Sequence, residues 1–420
     1  MKTAVVQQPS GSLSTRIRLT ASKSESNRAL IIRAICRNAF DVLNLAKAKD
    51  TETLVSLLEH DANELDVGPA GTTMRFMTAY LACAQANGKE GSTRIITGSE
   101  RMQSRPIGIL VDALRTLGAD IQYAGKEGYP PLRITSKNLP GGALEVDGSV
   151  SSQFISALLL IAPCLTNGLE LSFRGKVISR PYLQMTLNML KYFGADAGWL
   201  GDGTIRVGTG KYVPRDFTVE GDWSSASYWY ALVALTPGGE VELEGLRDDS
   251  LQGDARCVEI FSTLGVVTTF TPKGVRLKQS GHLPASFHYH FIDCPDLAQT
   301  VAVVVAALKV PATLDGLESL RIKETDRIEA LRVELGKFNV RVEVEGDQRI
   351  IIHPEQFEAK PGISIATYED HRMAMAFAPL ACKTGSVAIE EPDVVVKSYP
   401  DFWQDLTTAG FSISEAAVQD

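Results

Sequence analysis

Hydrophobic positions along the chain fall into two interleaved series, and both repeat. In the first, an apolar-periodic run stops at Gly or Asn and passes directly into a β-rich run. The stops are Gly118 after Leu114–Leu117, Gly194 after Leu190–Phe193, Gly265 after Ile260–Leu264 and Asn339 after Leu335–Phe338. Gly and Asn tolerate the left-handed backbone that closes a helix, so each predicts a helix end followed by a strand. These stops are spaced by 76, 71 and 74 residues. In the second series, six apolar, helix-length runs start near Lys23, Gly71, Ser152, Ser224, Asp296 and Asp370. Those from Ser152 and Asp296 are apolar on nearly every side, which marks a buried helix rather than a surface one. The last four starts are 72, 72 and 74 residues apart, and six units of about 70 residues fill the 420-residue chain. Short β-rich runs lie between them, at Thr93–Thr97, Leu132–Thr135, Leu169–Phe173, Val241–Glu244 and Ile350–His353. The expected class is α/β, with repeats that each combine strands, one buried helix and one more exposed helix. Two domains of three units follow, residues 20–220 as one and 1–19 with 221–420 as the other. The extended N-terminal stretch is expected to pair with the second half.

Hydrophobic residues make up 44% of the chain and charged residues 22%, the balance of a globular protein rather than a disordered one. Lys and Arg number 42 against 50 Asp and Glu, for a net charge of −8. That argues against a nucleic-acid partner while leaving room for a local basic pocket. The longest apolar runs, Ala157–Leu165 and Val301–Leu308, fall short of the roughly 20 residues a membrane helix needs. No apolar signal core opens the chain, so a cytoplasmic location is expected. The six cysteines are scattered without a C-x-x-C pair and read as free thiols in a reducing compartment. His288 and His290 could share a strand face, but with no nearby ligands they do not predict a metal site.

Candidate chemistry sits at the starts of the six buried helices. A helix N-terminus offers free N–H groups and a partial positive charge, which suit an anion. Here the starts also carry cations and hydroxyls. Ser22-Lys23-Ser24 precedes Arg28, Gly71 precedes Arg75, Ser151-Ser152-Gln153 opens the third run, and Asp370-His371-Arg372 opens the sixth. Simple N-capping explains any one of them, and Ser22 with Glu25 fits a capping box. Repetition with Lys or Arg goes further. The densest cluster, Arg321-Ile322-Lys323-Glu324-Thr325-Asp326-Arg327, has five charged residues of seven. A solvated helix face is the plain reading, yet the cluster sits where a loop enters a helix, a place where function concentrates. Neither G-x-x-x-x-G-K-[ST] nor G-x-G-x-x-G after a strand occurs, so ATP and NAD are not implied. The residues alone support an enzyme acting on phosphorylated or carboxylated metabolites.

Taken in order, Ser22-Lys23-Ser24 with Arg28, Gly71-Thr72-Thr73-Met74-Arg75, Arg101-Met102 with Arg105-Pro106, Ser151-Ser152-Gln153-Phe154, Lys323-Glu324-Thr325-Asp326-Arg327 and Asp370-His371-Arg372-Met373-Ala374-Met375 closely resemble the 5-enolpyruvylshikimate-3-phosphate synthase family. The match runs from about Leu19 to Phe402. It implies transfer of the enolpyruvyl group of phosphoenolpyruvate to the 5-hydroxyl of shikimate 3-phosphate with release of phosphate. It also implies a place in the shikimate pathway of aromatic amino-acid biosynthesis, the target of glyphosate. The implied fold is a two-domain inside-out α/β barrel of six βαβαββ-type repeats with buried parallel helices, closing over its substrates. No metal or organic cofactor is implied, and a monomer is expected. By motif, shikimate 3-phosphate would meet Lys23, Ser24, Arg28, Ser151, Ser152 and Gln153. Ser179, Tyr182, Asp296, Ser319 and Lys323 would complete that set. Phosphoenolpyruvate would meet Lys23, Gly71, Arg105, Gln153, Arg327, Arg372 and Lys397. Asp296 resembles the base that takes the hydroxyl proton and Glu324 the acid that protonates the methylene carbon, with Lys23 the other catalytic candidate.

Three positions depart from the family pattern. Leu19-Thr20-Ala21 replaces Leu-Pro-Gly, Pro69-Ala70-Gly71-Thr72 lacks the usual Asn, and Ser319 stands where an Asn is common. They bear on substrate affinity and inhibitor response more than on reaction type. The related UDP-N-acetylglucosamine enolpyruvyl transferases share the implied architecture, but their Cys-bearing loop is not apparent around Gly98–Pro106. A non-catalytic homologue and a generic phosphosugar-binding protein are the remaining readings, and the paired acids Asp296 and Glu324 weigh against both.

Overall fold

One six-part pattern, βαβαββ, accounts for most of the structure, a computed structural model that describes residues 2–60 and 62–417. The unit starting at Gly142 shows it in full. A strand at Gly142–Asp147, a buried helix at Ser152–Ile161 and a strand at Leu169–Arg174 come first; a helix at Arg180–Tyr192 and the strands Ala197–Leu200 and Thr204–Val207 follow. The first two strands pair in parallel, and the last two add in antiparallel fashion. A parallel pair needs a crossover, and the buried helix supplies it. The units around Thr93–Thr97, Glu240–Glu244 and Ala312–Asp315 repeat this topology.

Two units depart from a simple linear repeat. Ser14–Arg18 supplies the first strand of the sheet whose other members run from Glu240 to Gln279. Lys2–Gln7 fills the inner antiparallel position between Ser386–Glu390 and Ser412–Ala417. The N-terminal stretch thus pairs with the second half of the chain, as its extended pattern predicts. Among the described residues the unit of the Lys23–Ile35 helix is truncated, which corrects the expectation of six complete repeats. Phe217–Thr218 pairs in parallel with Val42–Leu43, and no antiparallel pair follows the helix Lys49–Glu59. The spacing shows why: the helix start at Gly71 follows that at Lys23 by only 48 residues.

The chain divides into two compact units, Ser22–Val219 and Met1–Ala21 with Glu220–Asp420. In the latter, Ala298–Ala307 is buried at all ten positions. Trp223–Leu235 is buried at every position but Ser224. Both belong to one continuous apolar core with the sheets around them. The four predicted stops are left-handed, with φ of +102° at Gly118, +83° at Gly194, +84° at Gly265 and +60° at Asn339. Each ends the more exposed helix of its unit and turns the chain into the next strand. Where the chain re-enters the second unit, the buried carboxylate of Glu220 accepts hydrogen bonds from Trp223 Nε1, Ser250 Oγ, Gln252 Nε2 and the Arg247 backbone N–H. Burial still pushes its carboxyl above the ordinary value, although these donors pull the other way.

Trp229 is fully buried in this core, and its Nε1 donates to the Tyr399 hydroxyl at 3.2 Å. Trp229→Ala leaves a cavity that rigid neighbouring elements cannot fill. A loss of about 3–5 kcal/mol is expected, read as a lower urea midpoint for the unit.

Candidate functional site

The charged cluster read from the sequence folds around Arg327. The short helical turn Glu318–Ile322 places Lys323 and Glu324 just ahead of the helix Arg327–Gly336, which is capped by Asp326. Arg327 is 1% exposed. Its Nε donates to Asp370 at 2.7 Å, its Nη1 to Asp296 at 2.9 Å and its Nη2 to Glu324 at 2.9 Å. The expected solvated face is therefore absent at this residue. Burial weakens its charge, but Asp370, Glu324 and Asp296 outweigh that and hold the guanidinium protonated.

Asp296 is the second hub. It lies in the turn Pro295–Leu297 that leads into Ala298–Ala307. Oδ1 faces Arg327 and, at 3.6 Å, Lys323 Nζ; Oδ2 takes a 2.9 Å bond from Arg372 Nη2. Burial raises the proton affinity of Asp296, but Arg372, Lys323 and Arg327 together hold its carboxyl well below the usual carboxylate range. Arg372 opens the helix His371–Phe377, and Asp370 caps that helix through the Arg372 N–H. Arg372 Nη1 also reaches the Tyr228 hydroxyl at 3.3 Å. Lys397 stands apart from this cluster and donates to the Glu369 carbonyl at 2.7 Å. Ser319 lies half-buried in the turn before Lys323.

In the Ser22–Val219 unit, Arg28 draws three helix starts together. Its Nη1 bonds the Ser24 carbonyl at 2.9 Å, its Nη2 the Ser156 hydroxyl at 2.9 Å and its Nε the Thr186 hydroxyl at 2.7 Å. Ser156 is one turn beyond Ser152, and Thr186 is one turn beyond Tyr182, whose carbonyl it also bonds. Arg28 is thus buried and committed to the protein. Burial lowers its pKa to about 10, while Tyr182 and Glu25 act to raise it. Ser22 caps the first helix through the Glu25 N–H, and Ser151 caps the third through the Gln153 N–H. Ser179 precedes the Arg180–Tyr192 helix in a left-handed conformation, φ +53°, a costly geometry for a residue with a side chain. Lys23 Nζ lies 3.3 Å from Asp50 Oδ2.

Gly71 opens its helix with ordinary φ, so conformational freedom is not what the position uses. Space is. A Cβ there would stand 2.8 Å from both Arg105 Nη1 and Arg75 Nη1. Arg75 Nη1 bonds the Gly71 carbonyl at 2.8 Å, and its guanidinium lies 5.5 Å from the Phe154 ring centre. Two cations therefore converge on the backbone of this helix start.

The structure brings Asp296, Lys323, Glu324, Arg327 and Arg372 into one bonded network. It joins Arg28 to the helices of Ser152 and Tyr182, and Gly71 to Arg105. Among the described residues, no group of three or more His, Cys, Asp or Glu is placed to hold a metal ion, and no helix is long and apolar enough to cross a membrane. Sequence reading missed Asp370 as the partner of Arg327 and missed Asp50; it placed Arg75 at the Gly71 helix start without giving it a role. Asp370 was visible as a cap, but its reach to Arg327 spans 43 residues and depends on tertiary packing.

The family model for EPSP synthase (3-phosphoshikimate 1-carboxyvinyltransferase) matches residues 56–406. The chain belongs to the EPSP synthase family. A 3-phosphoshikimate 1-carboxyvinyltransferase of Bacteroides fragilis is 49% identical over 397 residues, covering 94% of this chain and 95% of its own length. Those of Methanospirillum hungatei and Idiomarina loihiensis are 37% and 36% identical, over 92% and 93% of this chain and 93% and 95% of their own lengths. The EPSP synthase structure from Acinetobacter baumannii superimposes with a TM-score of 0.78, covering 99% of this chain and all of that one at 22% identity. The likeness places the α/β architecture in the EPSP synthase fold.

Within this family member, Arg327→Ala would leave Asp370 and Asp296 buried without their shared cation. A loss of about 3–5 kcal/mol is expected by chemical denaturation at pH 7. The loss shrinks as pH falls through the depressed folded value of Asp296, because a protonated carboxyl no longer needs the cation. Gly71→Ala should displace the Arg105 and Arg75 guanidinium groups; on the family motif's implication that phosphoenolpyruvate binds there, its KM should rise with KM for shikimate 3-phosphate nearly unchanged. Steady-state kinetics with each substrate varied in turn distinguishes this from a general folding defect, which moves both.

Proposed function

We propose that this chain transfers the carboxyvinyl group of phosphoenolpyruvate to the 5-hydroxyl of shikimate 3-phosphate and releases phosphate. The observation that carries the reading is the bonded network in which one guanidinium, Arg327, holds two carboxylates of separate proposed roles, Asp296 and Glu324. Addition needs a base at the acceptor hydroxyl and an acid at the methylene carbon. Asp296 is assigned the first role and Glu324 the second. In addition, the hydroxyl oxygen bonds to C2 and C3 gains a proton; in elimination, the C2–phosphate bond breaks and C3 loses one. Lys23 is assigned to both substrates. Ser24, Arg28, Ser151, Ser152, Gln153, Ser179, Tyr182, Ser319 and Lys323 are assigned to shikimate 3-phosphate. Gly71, Arg105, Gln153, Arg327, Arg372 and Lys397 are assigned to phosphoenolpyruvate.

The electrostatics give these roles a physical order. A carboxylate held by three cations is a poor base, and Asp296 is so held by Arg372, Lys323 and Arg327. Anionic substrates that draw on Lys323, Arg327 and Arg372 relax that hold and raise the proton affinity of Asp296. Substrate binding thereby switches the base on. Fixed cations also offset the mutual repulsion of two anionic substrates, and they need no reorganisation in the transition state. The buried helices and βαβαββ units support reading the fold as the inside-out barrel of the family. Operation as a cytoplasmic monomer without metal or organic cofactor completes the proposal.

Mixing phosphoenolpyruvate with shikimate 3-phosphate should release phosphate and give the enolpyruvyl ether by mass, whereas UDP-N-acetylglucosamine as acceptor should give neither. Glu324→Gln should retain binding of both substrates and lose about 10²–10⁴-fold in kcat, since an amide cannot deliver a proton to carbon. Deuterium incorporation into the methylene group from heavy water decides the point. Exchange as fast as in the parent protein transfers the acid role to Lys23.

A further inference from the structure

Behind Arg372 lies a second carboxyl that the reaction as described does not use. Asp254 sits in the short turn Gly253–Arg256 and is 2% exposed. Its Oδ2 accepts a hydrogen bond from Ser224 Oγ, in the first turn of the helix Trp223–Leu235. Its Oδ1 is buried without any hydrogen-bond partner. Ser224 Oγ lies 3.5 Å from Arg372 Nη2, the nitrogen that reaches Asp296 Oδ2 at 2.9 Å. Arg372 therefore stands between two carboxyls, one bonded directly and one through a hydroxyl.

The two cannot both carry charge cheaply. An ionised carboxylate offers about four acceptor sites, and a buried anionic oxygen with no donor loses its hydration without replacement. A neutral acid at Asp254 avoids that loss. The titratable and charged groups facing it come from every element packed around it. They are Asp222 at the cap of Trp223–Leu235, Asp296 from the turn Pro295–Leu297, Arg372 from His371–Phe377, and the thiols of Cys257 and Cys294. Arg372 is the one cation in that set. Burial first, and then the negative charge of Asp296, push the Asp254 carboxyl up to about 7, with Arg372 and Ser224 acting in the opposite sense.

We propose that Asp254, acting through Ser224, is a positioning residue for the reaction: as a neutral acid it leaves Arg372 on Asp296, and as a carboxylate it competes for Arg372. The idea rests on the assignment of Arg372 to phosphoenolpyruvate made above. When Asp254 gives up its proton, its new charge draws on Arg372, the cation that acts on it. Arg372 then binds both Asp296 and the incoming phosphoenolpyruvate less well. Affinity for phosphoenolpyruvate should fall on the alkaline side, while shikimate 3-phosphate, which is not assigned to Arg372, should be little affected.

The test compares the parent protein with Asp254→Asn and Ser224→Ala between pH 5.5 and 9. KM for each substrate is measured, together with thermal midpoints taken without substrate. In the parent, KM for phosphoenolpyruvate should rise severalfold from pH 6 to 8.5. In Asp254→Asn that rise should vanish, since the amide stays neutral and its oxygen can still accept from Ser224. In Ser224→Ala the hydroxyl that links Asp254 to Arg372 is gone, so the rise with pH should be lost there too. A carboxyl whose folded proton affinity is raised destabilises the fold progressively as pH climbs from its ordinary value to about 7. Asp254→Asn should therefore melt higher than the parent at pH 8, with the margin shrinking at pH 5. The proposal is overturned if the phosphoenolpyruvate profile of Asp254→Asn superimposes on that of the parent, if both substrates shift together, or if the melting margin does not change with pH. Absence of parental turnover at every pH defeats the functional assignment instead, and the melting comparison still judges Asp254. Should Asp254→Asn fail to fold, Ser224→Ala decides: a KM for phosphoenolpyruvate that still rises with pH as in the parent sinks the idea.

Discussion

A single buried guanidinium holds the chemistry of the larger unit in place. Arg327 presents three nitrogens to three carboxylates that come from separate stretches of chain, at Asp296, Glu324 and Asp370. Only a planar fork can satisfy three partners at once in this way, and a lysine ammonium would not reproduce the geometry. The arrangement fixes the N-terminal ends of the helices beginning at Ala298, Arg327 and His371 relative to one another. It also leaves the cluster poised between opposing charges. Asp296 carries more cation than it needs, and anionic ligands are the natural means of redistributing it.

Arg28 is the counterpart in the other unit, built on different partners. Its hydrogen bonds go to hydroxyl and carbonyl oxygens, which satisfy the N–H groups without neutralising the charge. The contrast appears in the proton affinities: burial lowers that of Arg28, while three carboxylates raise that of Arg327. A buried guanidinium held by neutral dipoles keeps a positive field at the helix starts of Ser24, Ser152 and Tyr182. That field suits an anion, and hydroxyls stand at the same starts. Arg327 tethers acids and Arg28 sustains a cationic field, though both side chains are equally hidden from solvent.

Repetition explains how such sites arise at helix starts. Each βαβαββ unit delivers its buried helix directly after a parallel strand, so the N-terminus of that helix emerges at the same end of every unit. Capping by Ser22, Ser151, Asp222 and Asp370 satisfies the first N–H groups and leaves the neighbouring residues to do chemistry. Such capping and function are compatible at one start. Asp370 shows it, since the same carboxylate caps Arg372 and holds Arg327.

Local pattern alone determined the elements. The stops at Gly118, Gly194, Gly265 and Asn339, the apolar helices from Ser152 and Asp296, and the α/β class were legible because helix ends and buried helices are written in contiguous residues. Site residues were legible where a motif lies within a few positions, as in Lys323–Arg327 or Asp370–Arg372. Tertiary structure alone decided which charges meet. The bonds from Arg327 to Asp370, from Arg28 to Thr186 and from Ser224 to Asp254 span 43, 158 and 30 residues. No periodicity encodes such pairings. Ion pairs and hydrogen bonds act over a few ångströms of space, and only the packing of distant helices brings those groups within that range.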